Sequence, residues 1–354
     1  MSFAELIRLS TLTQQSGREE NQPAPRHFRF TCVGMLACLL LCAGAGVQGQ
    51  RWVVTWQGSP TPGGTFYSPG CPSDVGLNNQ TIRNIVHLSA GGDTVRVRLS
   101  NNAGANPLQF GSATISVGGT GAAAGGAVTP LHFSGASSIL IAAGGEVLSD
   151  PIAMTVNPLD NLDISVYLPG VTGPTTQHYL AAQSNYLATG DATGSAAAAP
   201  FTTTISCWMF VSGVEVRAAS KVRGTLVAFG DSITDGYLST TTANHRYPDD
   251  LAKALAARKG DTLAVVNAGV TGNELLAIRP QLEFGYTAPF RFARDGSDQA
   301  GAKAVILLEG INGGCSRPQD MYADRHCCAH SRGTVDCAGL HRGAFGGAAA
   351  DERL

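Results

Sequence analysis

A serine hydroxyl attacks a carbonyl only when a base takes its proton and fixed donors receive the oxyanion that forms. Ser232 lies in "TLVAFGDSITDGY" (Thr225–Tyr237), where an apolar run breaks into a polar turn and Gly230 permits a tight bend. The pattern lifts its hydroxyl off the end of a strand and leaves its own backbone N–H as one donor. Two more polar turns end apolar runs. In "NAGVTGNE", Gly272 lets a second backbone N–H approach with no side chain in the way, and in "EGING", Asn312 can aim a side-chain amide. Three donors converging from three strand ends would form an oxyanion hole.

Those turns need strands to carry them. "TLVAF", "TLAVVNAG" and "AKAVILLEG" read as continuous apolar strands, and "YPDDLAKALAARKG" reads as a helix with Pro248 near its start, Gly260 at its end, and Leu251, Ala254 and Leu255 on one face. Strands alternating with helices predict an α/β layer with a parallel sheet, whose ligand site lies beyond the carboxyl ends of the strands. The pattern upstream is different. "DTVRVRLSN" alternates Val95, Val97 and Leu99 with Arg96, Arg98 and Ser100, and "LDISVYLPG" alternates Ile164, Val166 and Leu168 with polar residues. Turn clusters such as "SAGGD", "SNNAGANP" and "NPLDN" punctuate these runs, and "GGTGAAAGG" (Gly118–Gly126) reads as loop, which together predict an antiparallel β-sandwich-like domain over 51–221. "AASKVRG" (Ala218–Gly224) is the seam, and the α/β segment occupies 222–312.

The segment Gly230-Asp231-Ser232-Ile233-Thr234, Gly272 and Gly310-Ile311-Asn312 resembles the first three sequence blocks of the GDSL/SGNH hydrolase family. "GDSITDG" after an apolar strand is the specific part; the shared order and strand-end position of the three blocks support it. The resemblance implies ester hydrolysis on a flavodoxin-like α/β/α sheet, with Ser232 as nucleophile, Gly272 and Asn312 as oxyanion donors, and a His and an Asp from a late Asp-x-x-His block. Upstream, "WVVTWQGSP", "NNQTIRNIVHLSAGGDTVRVRLSN" and "SDPIAMTV" resemble the subgroup of secreted arylesterases and acylhydrolases in which a β domain precedes the hydrolase.

The chain departs from that pattern after Asn312. Gly313-Gly314-Cys315 stand where the family continues with Asp, and no Asp-x-x-His follows among the remaining 42 residues. The expected reading of 313–354 is an atypical tail, either the product of a shift of reading frame or a genuine short tail, so that the hydrolase is incomplete. His245, in "NHRYP", is a substitute base to be weighed against a role in the loop leading into the helix, and His326, His330 and His341 fall in the tail. Asp231 and Asp235 flank Ser232 and read as turn or capping residues; Glu309 at the third strand end is ambiguous.

Composition excludes some functions. A chain of 354 residues with 44% hydrophobic and 14% charged residues buries substantial cores, and a net charge of -2 offers no basic field for nucleic acid. Residues 1–50 carry Arg26 and Arg29, then "VGMLACLLLCAGAG", too short for a comfortable span and followed by small residues. That is the layout of a secretory signal, with a membrane anchor as the alternative. Export agrees with the cysteines: Cys32, Cys38 and Cys42 fall in the expected signal, which leaves Cys71 and Cys207 as the only pair before residue 313, and spacing leaves open whether they join. Cys315, Cys327, Cys328 and Cys337 have no recognisable zinc spacing, so neither metal nor organic cofactor is implied. "NQT" at Asn79 is a sequon that matters only where secreted proteins are glycosylated. Two readings follow: a secreted or periplasmic serine esterase acting on short acyl esters such as acetylated carbohydrate, or an impaired remnant whose β domain binds glycan.

Overall fold

The computed structural model describes residues 51–65 and 70–313. These fall within one compact unit, while the leader and tail expectations for 1–50 and 314–354 lie outside the described residues. Two antiparallel sheets form the upstream part. One runs in the order Trp52–Gln57, Val211–Ala218, Gly92–Ser100, Ile152–Val156, with Glu146–Leu148 also paired to Gly92–Ser100. The other runs Phe201–Ile205, Asn185–Thr189, Gln80–His87, Asn161–Leu168, Ser112–Val117, Thr129–Pro130. Val95, Val97 and Leu99 from the first and Ile82, Ile164 and Val166 from the second are fully buried in one apolar cluster. Alternation in the sequence thus becomes a sandwich because each sheet has one face that water must leave.

One face departs from simple alternation. Asp163 and Ser165, on the polar side of their strand, are also buried. Arg83 on the neighbouring strand is the cause: its guanidinium donates to Ser165 Oγ and to the carbonyls of Ala122 and Ser195, drawing loop segments over the outer face. A buried guanidinium needs such acceptors.

The strand Trp52–Gln57 serves two cores. Val53 and Trp56 point into the sandwich and Val54 into a second cluster with Val227, Phe229, Val266 and Ala268. A bulge between Val54 and Trp56 puts Val53 and Trp56 on one side despite their odd spacing. Thr225 Oγ1 also donates to Val54 O at 3.2 Å. The junction is therefore a packed face and not a tether.

The second cluster belongs to three parallel strands in the order Thr262–Gly269, Val222–Gly230, Ala302–Leu308. Their register sets Gly230 opposite both Gly269 and Leu308, so all three carboxyl ends finish at one edge of the sheet. The outer strand has no partner on its far side among the described residues, and Ile306, Leu307 and Leu308 are exposed there. Helix Tyr247–Ala256 lies against this layer. It buries Pro248 and Ala252 with Leu251 and Leu255 half-buried, whereas Ala254, expected on the inner face, is exposed. Pro248 at the start fixes the contact, and residue 252, one turn on, follows it inward.

Cys71 and Cys207 are joined by a disulfide spanning 136 residues. It ties the segment following the first strand to the core beside Trp208. Loop-closure entropy for a span of this length is worth about 5 kcal/mol at most. Replacing both cysteines by alanine should therefore lower the urea unfolding free energy by about 2–5 kcal/mol, read from the equilibrium unfolding midpoint; an unchanged midpoint would contradict this role.

Candidate active site

Ser232 is the first residue of the four-residue helix Ser232–Asp235 and is half-buried. Asp231 is its N-cap, with a carboxylate oxygen 3.1 Å from Ile233 N, and Gly236 closes the helix in the left-handed region, φ 92°. Gly230 is required by close approach: a Cβ there would stand 2.1 Å from Leu308 O and 2.3 Å from Thr234 Oγ1. Burial, the largest influence, holds the Asp231 carboxyl above its ordinary range, opposed by the backbone N–H groups of Ile233, Ile311 and Gly310 and by Arg291. The last two of those N–H groups belong to the third turn, so the cap of the Ser232 helix faces the turn that carries Asn312.

The second turn is fixed as tightly. Gly272 has φ 80°, and a Cβ on it would fall 2.3 Å from Phe284 Cδ1. Asn273 donates its amide to Phe284 O and Tyr286 O, at 2.9 and 2.7 Å. Asn312 Nδ2 donates to Asn273 O at 2.9 Å, linking third turn to second. The structure therefore brings the turns of Ser232, Gly272 and Asn312 together at the carboxyl edge of three adjacent strands, as the sequence pattern implies.

Beneath them lies Arg291, which sequence reasoning did not single out. It is fully buried, donates to Gly230 O, Ala268 O and Asn273 Oδ1, each at 2.7 Å, and reaches Asp295 and Glu309 at 3.4 Å. Its Cζ lies 3.9 Å from the Phe229 ring centroid. One side chain thus holds two strand ends, the second turn and the third strand's terminal acid. Glu309 is pushed up to about 7, by burial first and by the Asp231 charge, against the pull of Arg291.

Asp235 is also more than a turn residue. It is buried; Thr271 N–H and Oγ–H donate to its Oδ2, and its Oδ1 lies 2.9 Å from His178 Nε2. His178 comes from the short strand Thr176–His178 of the β-rich part. Neither ring nitrogen of His178 is spare, because Nδ1 faces Ser59 O at 3.0 Å. His245 is exposed and pairs with Asp250 at 3.3 Å, which is the helix-leading role and not that of a base on Ser232. Among the described residues no histidine is hydrogen-bonded to Ser232; His326, His330 and His341 lie outside the described residues. Nor do the described residues gather three metal-ligating side chains, and none of their helices is long and apolar enough to cross a membrane.

A groove of about 610 Å³ opens beside the Ser232 helix. Leu180, Ala182 and Ser206 from the β-rich part face Gly236, Tyr237 and Ser239 across it, and among the described residues no charged side chain lines it. Thr242 N–H donates to Ala182 O and Ser184 N–H to Thr242 Oγ1, clipping the two walls together. Leu180, Ala182, Leu238 and Thr242 all have positive φ, between 48° and 67°. Non-glycine residues in that region carry strain of about 1–3 kcal/mol each, which the surrounding contacts must hold.

An antiparallel β-rich part precedes an α/β layer whose polar turns meet at one edge, and that is the class of protein seen here. Residues 228–332 match the GDSL-like Lipase/Acylhydrolase family, a span that starts in the Ser232 strand and runs on past Asn312. By this match the segment 228–332 is GDSL-like, with a β-rich part ahead of it, and the family it matches is one of carboxylic ester hydrolases. Solved structures similar to it include a family two carbohydrate esterase from Clostridium thermocellum in complex with cellohexaose. That protein is 12% identical, with 75% of this chain and 67% of that chain covered at a TM-score of 0.22. A family two carbohydrate esterase from Cellvibrio japonicus is also 12% identical, with 77% and 82% covered at a TM-score of 0.17. No curated protein sequence matches the chain.

Two outcomes follow from the site's geometry. Gly272→Ala should destabilise the protein by about 1–3 kcal/mol and displace the second turn, seen as faster amide exchange at Asn273 with the sandwich amides unchanged. For Glu309, a folded value near 7 against an ordinary 4.5 means that the folded state keeps a proton the unfolded chain releases. Its contribution is complete below 4.5 and is lost as pH rises through about 7. Glu309→Gln should flatten that fall, which amounts to about 3 kcal/mol by linkage, in urea titrations across the window; an unaltered slope would exclude Glu309 as its source.

Proposed function

We propose that the protein is a secreted ester hydrolase in which Ser232 is the nucleophile. What carries this reading is the meeting of three strand-end turns at one edge, the first presenting Ser232 at the start of a helix. In the reaction, Ser232 Oγ forms a bond to the ester carbonyl carbon as its proton passes to a base, and the carbonyl π electrons move onto oxygen. The Ser232 and Gly272 N–H groups and the Asn312 amide receive that oxyanion. Collapse expels the alcohol, which takes a proton, and water then releases the acid by the same sequence.

The alcohol part is proposed to be carbohydrate and the acyl part short, such as acetyl. The groove beside the Ser232 helix supports this: among the described residues its lining is hydroxyl groups, apolar surface and the exposed Tyr237 ring, which suit a neutral polyhydroxylated ligand. The disulfide between Cys71 and Cys207 supports an oxidising, exported setting. One observation favours the alternative of an impaired hydrolase whose β domain binds glycan: among the described residues no histidine is bonded to Ser232.

Hydrolysis of a chromogenic acetyl ester by the full chain, beside Ser232→Ala, decides between the two. An active site of this design should lose about 10³-fold or more in kcat on that substitution. Equal rates for the two proteins would leave Ser232 without a catalytic role, and retention on an acetylated polysaccharide column despite equal rates would favour the binding reading.

A further inference from the structure

His178 has two ring nitrogens and two partners, and both partners accept. Ser59 O is a carbonyl 3.0 Å from Nδ1, and Asp235 Oδ1 lies 2.9 Å from Nε2. Asp235 itself takes two further hydrogen bonds at Oδ2, from Thr271 N–H at 2.8 Å and Thr271 Oγ–H at 2.6 Å, the partner set of an ionised carboxylate. A neutral imidazole has one N–H and would leave one of these contacts as two lone pairs facing each other. Both are satisfied only when His178 carries protons on both nitrogens.

The pair sits at a mechanical crossroads. Asp235 ends the helix that begins with Ser232, and Thr271 directly precedes Gly272. Ser59 and His178 both belong to the β-rich part. We propose that His178, as a buried imidazolium, is a positioning residue for the ester-hydrolysing site: it fixes Asp235, and through Asp235 it sets the Ser232 helix and the Gly272 turn relative to each other. The inference rests on the reading of Ser232 as nucleophile, but the placement it describes is measurable without turnover.

Burial opposes the imidazolium, while the Asp235 charge, its hydrogen bond and the Ser59 carbonyl outweigh that and hold His178 above its ordinary 6.5. Asp235 is held below its ordinary 3.8: burial raises it, but His178 and Thr271 prevail. The pair is therefore complete from about the ordinary carboxylate value up to 6.5, and is lost as pH rises through the elevated His178 value. Other titratable groups around it are Arg246 and Asp249 from the helix Tyr247–Ala256, His87 across a small cavity, and Tyr179 next in the chain, whose hydroxyl donates to Thr271 O. Trp208 packs on the His178 ring at 5.5 Å between centroids.

The test starts with the unaltered full chain. Nitrogen-15 NMR of labelled histidine below pH 6.5 should find both His178 nitrogens protonated, and one bare nitrogen there would overturn the proposal. In His178→Gln, whose amide donates from one end only, the Thr271 amide should exchange with solvent about tenfold faster or more while Ile164 in the sandwich changes little. Thr271 protection equal to that of the unaltered chain would also overturn it. Asp235→Asn should give the same local loss, which keeps the test decisive if His178→Gln does not fold. If Ser232-dependent hydrolysis is measured, His178→Gln should lower kcat about tenfold or more with KM nearly unchanged, and any fall of kcat as pH rises through the elevated His178 value should vanish. A raised KM with kcat intact would contradict a positioning role. Absence of hydrolysis by the unaltered chain would sink the esterase reading alone, since NMR and exchange still judge the placement.

Discussion

A guanidinium brings five N–H groups, and one that is wholly buried obliges the fold to deliver acceptors to fixed points around it. Arg291 is that obligation here. Its acceptors are the terminal carbonyl of the Ser232 strand, a carbonyl one residue from the end of the neighbouring strand, and the side chain of Asn273 in the second turn, with Asp295 and Glu309 supplying charge. Sliding any of the three strands by one residue would move an acceptor away and leave a buried N–H bare. Register at the carboxyl edge is therefore enforced from beneath, by one fully buried side chain.

The β-rich part is bound into the same framework. Val54 lies in the α/β core while its neighbour Val53 lies in the sandwich core, so one strand's two faces make two hydrophobic clusters continuous. His178 and Asp235 add a polar contact on the site side of that junction. Such a buried pair adds little net stability compared with well-packed apolar residues, since desolvation offsets most of the attraction. Its effect is geometric: few arrangements satisfy every donor and acceptor at once.

Much of this was legible in the chain. An apolar run ending in Gly-Asp-Ser predicts a strand-end serine, and alternation in "DTVRVRLSN" predicts the buried row Val95, Val97, Leu99; both follow from local periodicity, which short segments display in full. Arg291, His178 and the covered outer face of Asp163 were not legible, because their roles depend on partners far along the chain. His178 and Asp235 are 57 residues apart and Arg291 and Gly230 are 61 apart, and no period connects them. A faint signal existed in "APFRFARDG", where an arginine stands between two phenylalanines at an i, i+4 distance from an aspartate. Ala254 shows the reverse: a helical face is legible in the local pattern, but Pro248 and Ala252 set which side turns inward.

The Ser232 helix is four residues long, too short to be stable by its own hydrogen bonding or to offer a full helix dipole to an oxyanion. Its shape must come from its ends. Asp231 at the start caps Ile233 N–H and faces the third turn; Asp235 at the finish is bonded by the second turn and by His178. The environments of these two carboxyls push their proton affinities apart, Asp231 upward by burial and Asp235 downward by the imidazolium facing it. Only the second holds a full charge firmly, and that charge is matched from the β-rich part. It follows that the sandwich belongs to the framework of the serine site, and that the geometry at Ser232 is a property of the joined parts and not of the α/β layer by itself.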